Sequence, residues 1–199
     1  GSNTNSSLSA INGDSNNSSG NLLTNSGFAD WTADSPNRFS LTTGTAGVNV
    51  LKETSIVYTG GASLRMVGDA GGTLTALKQQ FNSSTGTAGQ LAALTQYSFN
   101  VFMRGGATPP AAGVLTVELI DGNSVVVNDA NGAANSFTFD LTTLTTVFSS
   151  FTGVFRTPVV MPADIYLRLR LSTALTNAAA VYLDNMSVGK MTQMYSGGP

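Results

Sequence analysis

The run Ile165-Tyr166-Leu167-Arg168-Leu169-Arg170-Leu171 alternates aliphatic and polar side chains without a fault. Successive side chains of a β-strand point to opposite faces, so this pattern buries one set and leaves the other at the surface. The same period of two runs through Tyr97 to Arg104 and through Val114 to Ile120. Further strands are expected near Asn21–Leu23, Phe39–Leu41, Ser63–Val67, Leu74–Phe81, Phe137–Leu141, Val147–Phe155 and Val181–Val188. Asp121-Gly122, between two β-rich runs, predicts a type I′ hairpin. Helical periodicity never lasts longer than about two turns. Many short strands separated by Gly, Asn and Thr turns predict an all-β fold, a two-sheet antiparallel β-sandwich.

The 199 residues suffice for one domain with a real core. Residues 1–20 are rich in Asn, Ser and Gly and have almost nothing to bury, which predicts a polar linker or arm. The globular module is expected over 21–190, with 191–199 as a C-terminal tail. Gly1-Ser2 reads as a cloning remnant, and the residues after it lack the basic and apolar regions of a signal peptide. Only 10% of the chain is charged, against about 25% in an average soluble domain. A net charge of −2 offers no footprint for nucleic acid, and no apolar run reaches the ~20 residues of a membrane helix.

The chain has neither Cys nor His. Thiolate nucleophiles, zinc–thiolate sites and the commonest general base are therefore excluded. A Ser or Thr nucleophile would have to rely on Lys or a carboxylate. The 11 acidic residues are scattered among turns, with Glu118 alone clearly mid-strand, so a glycosidase pair is not indicated. The expectation is a binding protein, not an enzyme.

Several segments, in order, resemble the carbohydrate-binding modules of the family 4/9/22 type. Asn21-Leu22-Leu23-Thr24-Asn25-Ser26-Gly27-Phe28, followed by Trp31, is similar to their opening motif, and Tyr58 to Met66 to their second strand. Leu94 to Arg104 resembles their central strand, Val147 to Pro158 a later one, and Val181-Tyr182-Leu183-Asp184-Asn185-Met186-Ser187-Val188 their closing strand. The resemblance covers about residues 21–190. It implies a galactose-binding-like jelly roll, of a kind also found in bacteriophage virion proteins, and a calcium ion held in part by Asp184. Ala29 and Thr59 stand where acidic ligands are expected, which weakens that site. Asn128 to Gly132 has the flavour of a calcium loop but no closing acid, and reads as a plain loop.

If Tyr97, Phe99, Val101 and Met103 face the core, then Ser98, Asn100, Phe102 and Arg104 face outward. The corresponding outward residues are Thr116, Glu118 and Ile120 on the next strand and Tyr166, Arg168 and Arg170 on the Arg-rich strand. Sugar-binding faces stack aromatic rings on pyranose faces and flank them with amide, carboxylate or guanidinium groups. The expected patch therefore has Phe102 and Tyr166 as platforms, with Asn100, Arg104, Glu118, Arg168 and Arg170 as hydrogen-bonding partners. The competing reading packs both rings under a loop or a neighbouring subunit and pairs the charges across strands. Trp31 is expected to close one end of the sandwich. Tyr58 is open to either role, and the phase of Lys78, Gln79 and Gln80 is ambiguous. The functional expectation is a non-catalytic module for a polysaccharide or cell-surface glycan, extracellular or on a virion surface. The alternative is a structural virion subunit (decoration, spike or fibre), as a homotrimer or beside another virion or enzyme domain.

Overall fold

A computed structural model describes residues 20–86 and 90–191. The arm expected over 1–20 lies, but for Gly20, outside the described residues, as does the tail beyond Met191. Twelve strands form the fold. They are β1 (Trp31–Thr32), β2 (Ser35–Pro36), β3 (Ser40–Thr43), β4 (Val50–Glu53), β5 (Ser63–Val67), β6 (Ala76–Asn82), β7 (Gln96–Gly105), β8 (Val114–Asp121), β9 (Ser136–Asp140), β10 (Ser149–Arg156), β11 (Ile165–Thr173) and β12 (Ala180–Lys190). One five-stranded antiparallel sheet runs β10-β7-β12-β5-β4 and the other β3-β6-β11-β8-β9; β1 and β2 make a separate ribbon. The two large sheets pack face to face as an all-β jelly-roll sandwich. Among the described residues no helix is long and apolar enough to cross a membrane.

The alternation read from the sequence carries the core. Tyr97, Phe99, Val101 and Met103 of β7 meet Ile165, Leu167, Leu169 and Leu171 of β11 across the interior, together with Leu115, Val117 and Leu119 of β8. Burying each such side chain contributes roughly 1.5–3 kcal/mol. Phe99, Phe137, Phe139 and Phe155 form a ring cluster at neighbouring centroid distances of 4.9–6.4 Å. Trp31, half-buried, packs against the core and donates its indole N–H to the Phe28 carbonyl.

Three local expectations change. Asn21–Leu23 is not a strand, although Leu22 donates to the Val188 carbonyl and Asn21 Oδ1 accepts from the Val188 N–H, which fastens the segment beside β12. Val50–Glu53 is a strand that its short, mixed sequence does not advertise. Asp121-Gly122 does not make a type I′ turn, which needs positive φ at both central residues; the positive φ falls on Ser124 instead. Asp121 Oδ1 accepts from the N–H groups of Asn123 and Val125, and Asp129 Oδ1 does the same for Asn131 and Ala133. The 128–132 segment is thus an Asx-stabilised loop, with its carboxylate turned to its own backbone.

Candidate functional site

The two sets of outward residues lie on different sheets. Asn100, Phe102 and Arg104 belong to β7 in one sheet, and Glu118, Tyr166, Arg168 and Arg170 to β8 and β11 in the other. Outer faces of two packed sheets point in opposite directions, so the single patch expected from the sequence does not exist. Period-two alternation specifies which way a residue faces within its own sheet, but not which sheet holds the strand.

On the β8–β11 face two arginines converge on one oxygen of a buried carboxylate, whose other oxygen has no hydrogen-bond partner. Glu118 is 1% exposed. Its Oε2 accepts from Arg168 Nε and Nη2, at 3.1 and 3.0 Å, and from Arg170 Nε at 2.6 Å. Lys78 places its ammonium 4.1 Å from the Tyr166 ring centroid, which occupies that ring's face with a cation. Lys78 and Gln80 share the outward phase, whereas Gln79 is buried and grips the backbone N–H and carbonyl of Thr24. This face is built from cross-strand pairing.

The β7–β12 face differs. Phe102 is not a bare platform: the Tyr58 ring lies over it at 4.0 Å and 12° from parallel. Tyr58 is 42% exposed. Phe148 meets Tyr58 edge-on at 5.6 Å, and Arg104 sits 5.9 Å from the Phe148 centroid and 5.7 Å from that of Tyr182. Asn100 Oδ1 accepts from the Ser150 hydroxyl on β10. The sequence places Phe102 and Arg104 here but does not show that Tyr58 and Phe148, both on connections between strands, close over them. The signal was faint: an aromatic just before Gly60-Gly61, and another at the mouth of β10.

Asp184 lies beneath this cluster. It is opposite Phe102 in the ladder, on the outer phase, yet 0% exposed. The bulge between Asp184 and Ser187, with Asn185 at φ 47°, returns Met186 and Val188 to the core and leaves Asp184 on the outer side. Its Oδ2 accepts from the N–H groups of Tyr58 (2.9 Å) and Thr59 (3.3 Å), and its Oδ1 from that of Asn185 (2.9 Å). Backbone amides stabilise a carboxylate without a cation. Calcium needs six to eight oxygens, and among the described residues no three His, Cys, Asp or Glu side chains group around a metal position. Ala29 and Asp30 are exposed, and Asp30 is engaged with Asn37. A calcium ion at Asp184 would therefore have to draw most of its ligands from backbone and amide oxygens; Asp184 also ties the 58–59 backbone down, which holds the Tyr58 ring over Phe102.

No family model matches the chain, and no curated protein does. Solved structures do match. A family 16 carbohydrate-binding module is 20% identical, over 73% of this chain and 89% of that one, with a TM-score of 0.50. The xylan-binding CBM22-1 domain of Paenibacillus barcinonensis Xyn10C is 19% identical over 82% of this chain and 90% of its own, at 0.50. The enzymatically active domain of bacteriophage CBA120 tailspike protein 4 is 11% identical over 86% of this chain but 22% of that one, at 0.59. These likenesses show the β-sandwich fold.

Proposed function

We propose that the chain is a non-catalytic carbohydrate-binding module whose site is the outer face of the β10-β7-β12-β5-β4 sheet. The observation that carries this reading is the part-exposed Tyr58 ring, stacked on Phe102 and in T-shaped contact with Phe148, whose ring centroid is 5.9 Å from the Arg104 guanidinium. A ring held in this way costs little rotamer entropy when a pyranose stacks on it. Asn100, Ser150 and Arg104 supply hydrogen-bonding groups within the same face. The family resemblance and the carbohydrate-binding modules among the matching structures support the same reading, with an extracellular or virion-surface setting and a cell-surface or plant-type polysaccharide as partner.

Affinity electrophoresis of the whole chain through gels containing xylan, galactan, β-glucan or acidic polysaccharides tests it. Tyr58→Ala should weaken binding by about 30-fold or more, the size of a hot-spot loss. Phe102→Ala should weaken it by letting the Tyr58 ring collapse inward. Retained binding in Tyr58→Ala would move the site elsewhere.

A second reading, assembly within a virion, draws on the likeness to the phage tailspike. In that case the β8–β11 face with Tyr166, Arg168 and Arg170 is the surface for a homotrimer or a neighbouring domain. Light scattering separates the two: a monomer supports glycan binding alone, and a trimer supports assembly.

A further inference from the structure

The proposed site contains two arginines without an ion pair among the described residues. Among the described residues, Arg168 and Arg170 pair with Glu118, whereas Arg65 and Arg104 have no ion pair. Both sit in one cross-strand row on the outer face: Arg65 of β5 is opposite Tyr182 of β12, which is opposite Arg104 of β7. Two interstrand spacings put their backbones roughly 10 Å apart. Tyr182 lies between them.

Arg104 is held in a set pose. Its Nε donates to the Gly105 carbonyl at 2.9 Å, and its guanidinium rests between the Phe148 and Tyr182 rings. Its terminal nitrogens donate to no protein group and are not buried. Arg65 Nε is buried and has no hydrogen-bond partner. The acids of this face are already engaged by backbone N–H groups: Glu53 Oε2 by Ser55 and Ile56, and Asp184 by Tyr58, Thr59 and Asn185. The row therefore carries two guanidinium groups without an ion pair on the sheet face over which Tyr58 stacks on Phe102. A guanidinium fork matches the paired oxygens of a carboxylate or a sulfate, and such charge-assisted bonds are about twice as strong as neutral ones.

Building on the carbohydrate-binding reading, we infer that the sugar taken here carries an anionic substituent, a carboxylate or a sulfate ester. Arg104, with Arg65, holds the anion while Tyr58 stacks on the ring.

Isothermal titration of the whole chain against four polymers tests this. Polygalacturonate supplies carboxylates, dextran sulfate supplies sulfate esters, and fully methyl-esterified polygalacturonate and dextran are the neutral counterparts. At least one anionic polymer should bind tenfold or more tighter than its neutral counterpart, and which one does so identifies the anion. Arg104→Gln and Arg65→Gln should each remove most of that preference. Arg104→Lys, which keeps the charge but not the fork, should remove part of it, and Lys190→Gln, an exposed charge lost elsewhere, should leave it intact. Thermal unfolding of each variant verifies the fold. Equal binding of neutral and anionic polymers, lost in Tyr58→Ala, would overturn the anionic assignment while sparing the carbohydrate reading. Binding of none would overturn both. A preference that falls no further in the arginine variants than in Lys190→Gln would overturn the role of this pair.

Discussion

Replacing Asp184 with Asn preserves shape and removes the charge that three backbone amides share. An Asn side chain keeps one acceptor oxygen and turns an NH₂ toward a donor it cannot accept from. In the least costly placement the oxygen stays with Tyr58 and Thr59, and the NH₂ faces the Asn185 N–H. That buried donor is orphaned, at about 1–3 kcal/mol, and two charge-assisted bonds of about 1.5–3 kcal/mol each fall to roughly half. Together these come to about 4 kcal/mol, which lowers the unfolding midpoint of a domain this size by roughly 10 °C. The assay is circular dichroism melting of both proteins, repeated with excess EDTA and with added calcium, followed by sugar titration of the folded variant. The variant should melt well below the parent in every buffer. It should also bind sugar more weakly, because the Tyr58 loop is no longer fastened over Phe102. A midpoint drop under about 2 °C refutes the amide-cradle account. A parent protein that loses stability in EDTA and regains it with calcium refutes it as well, and restores Asp184 as a metal ligand.

Two further predictions separate the faces and the loops. Glu118→Ala should cost about 1–3 kcal/mol by leaving the partly exposed Arg168 and Arg170 without their acceptor, yet leave sugar affinity within about twofold, read by urea unfolding and titration; a large affinity loss would return the β8–β11 face to the binding site. Asp69 is held at a pKa of about 2, below its ordinary 3.8, chiefly by the Thr73 hydroxyl, then Asn49 and the Thr73 N–H. Hydrogen bonds to the Asp140 carboxylate from the Thr142 hydroxyl and N–H lower its pKa likewise. A carboxyl with a depressed folded pKa stabilises the fold above its unfolded pKa and loses that contribution as pH falls through the folded one. Urea midpoints should therefore decline from about pH 4 toward pH 2, and Asp69→Asn should flatten that slope. An unchanged slope would assign acid sensitivity to other carboxylates.

How far the sequence reaches is clearest on β7. The phase of Tyr97 through Arg104 is legible because burial and exposure are local properties of a two-residue repeat, and the core forms along that phase. Arg168, Arg170 and Glu118 were equally legible as outward residues, and the pairing of their charges across strands was the competing reading, but the register and the sheet that hold them were not legible. Pairing between β8 and β11 joins residues some fifty positions apart through the register Arg168↔Glu118, which no short-range pattern encodes. The candidate site was half visible for the same reason: Phe102 and Arg104 declare themselves by phase, whereas Tyr58 and Phe148 come from connections between strands.

By itself, then, the sequence determined the all-β class, the buried and exposed phases, the absence of His and Cys chemistry, and a low-charge surface. Only the tertiary structure decided that Arg168 and Arg170 share the Glu118 carboxylate on one face. It also decided that Asp184 cradles a loop, and that Tyr58 covers Phe102 on the face of two arginines without an ion pair among the described residues. The physical reason is range. Side-chain phase follows from the geometry of a single strand, but partnership follows from sheet order, which joins the Tyr58 N–H to Asp184 across 126 positions and the Val188 N–H to Asn21 across 167.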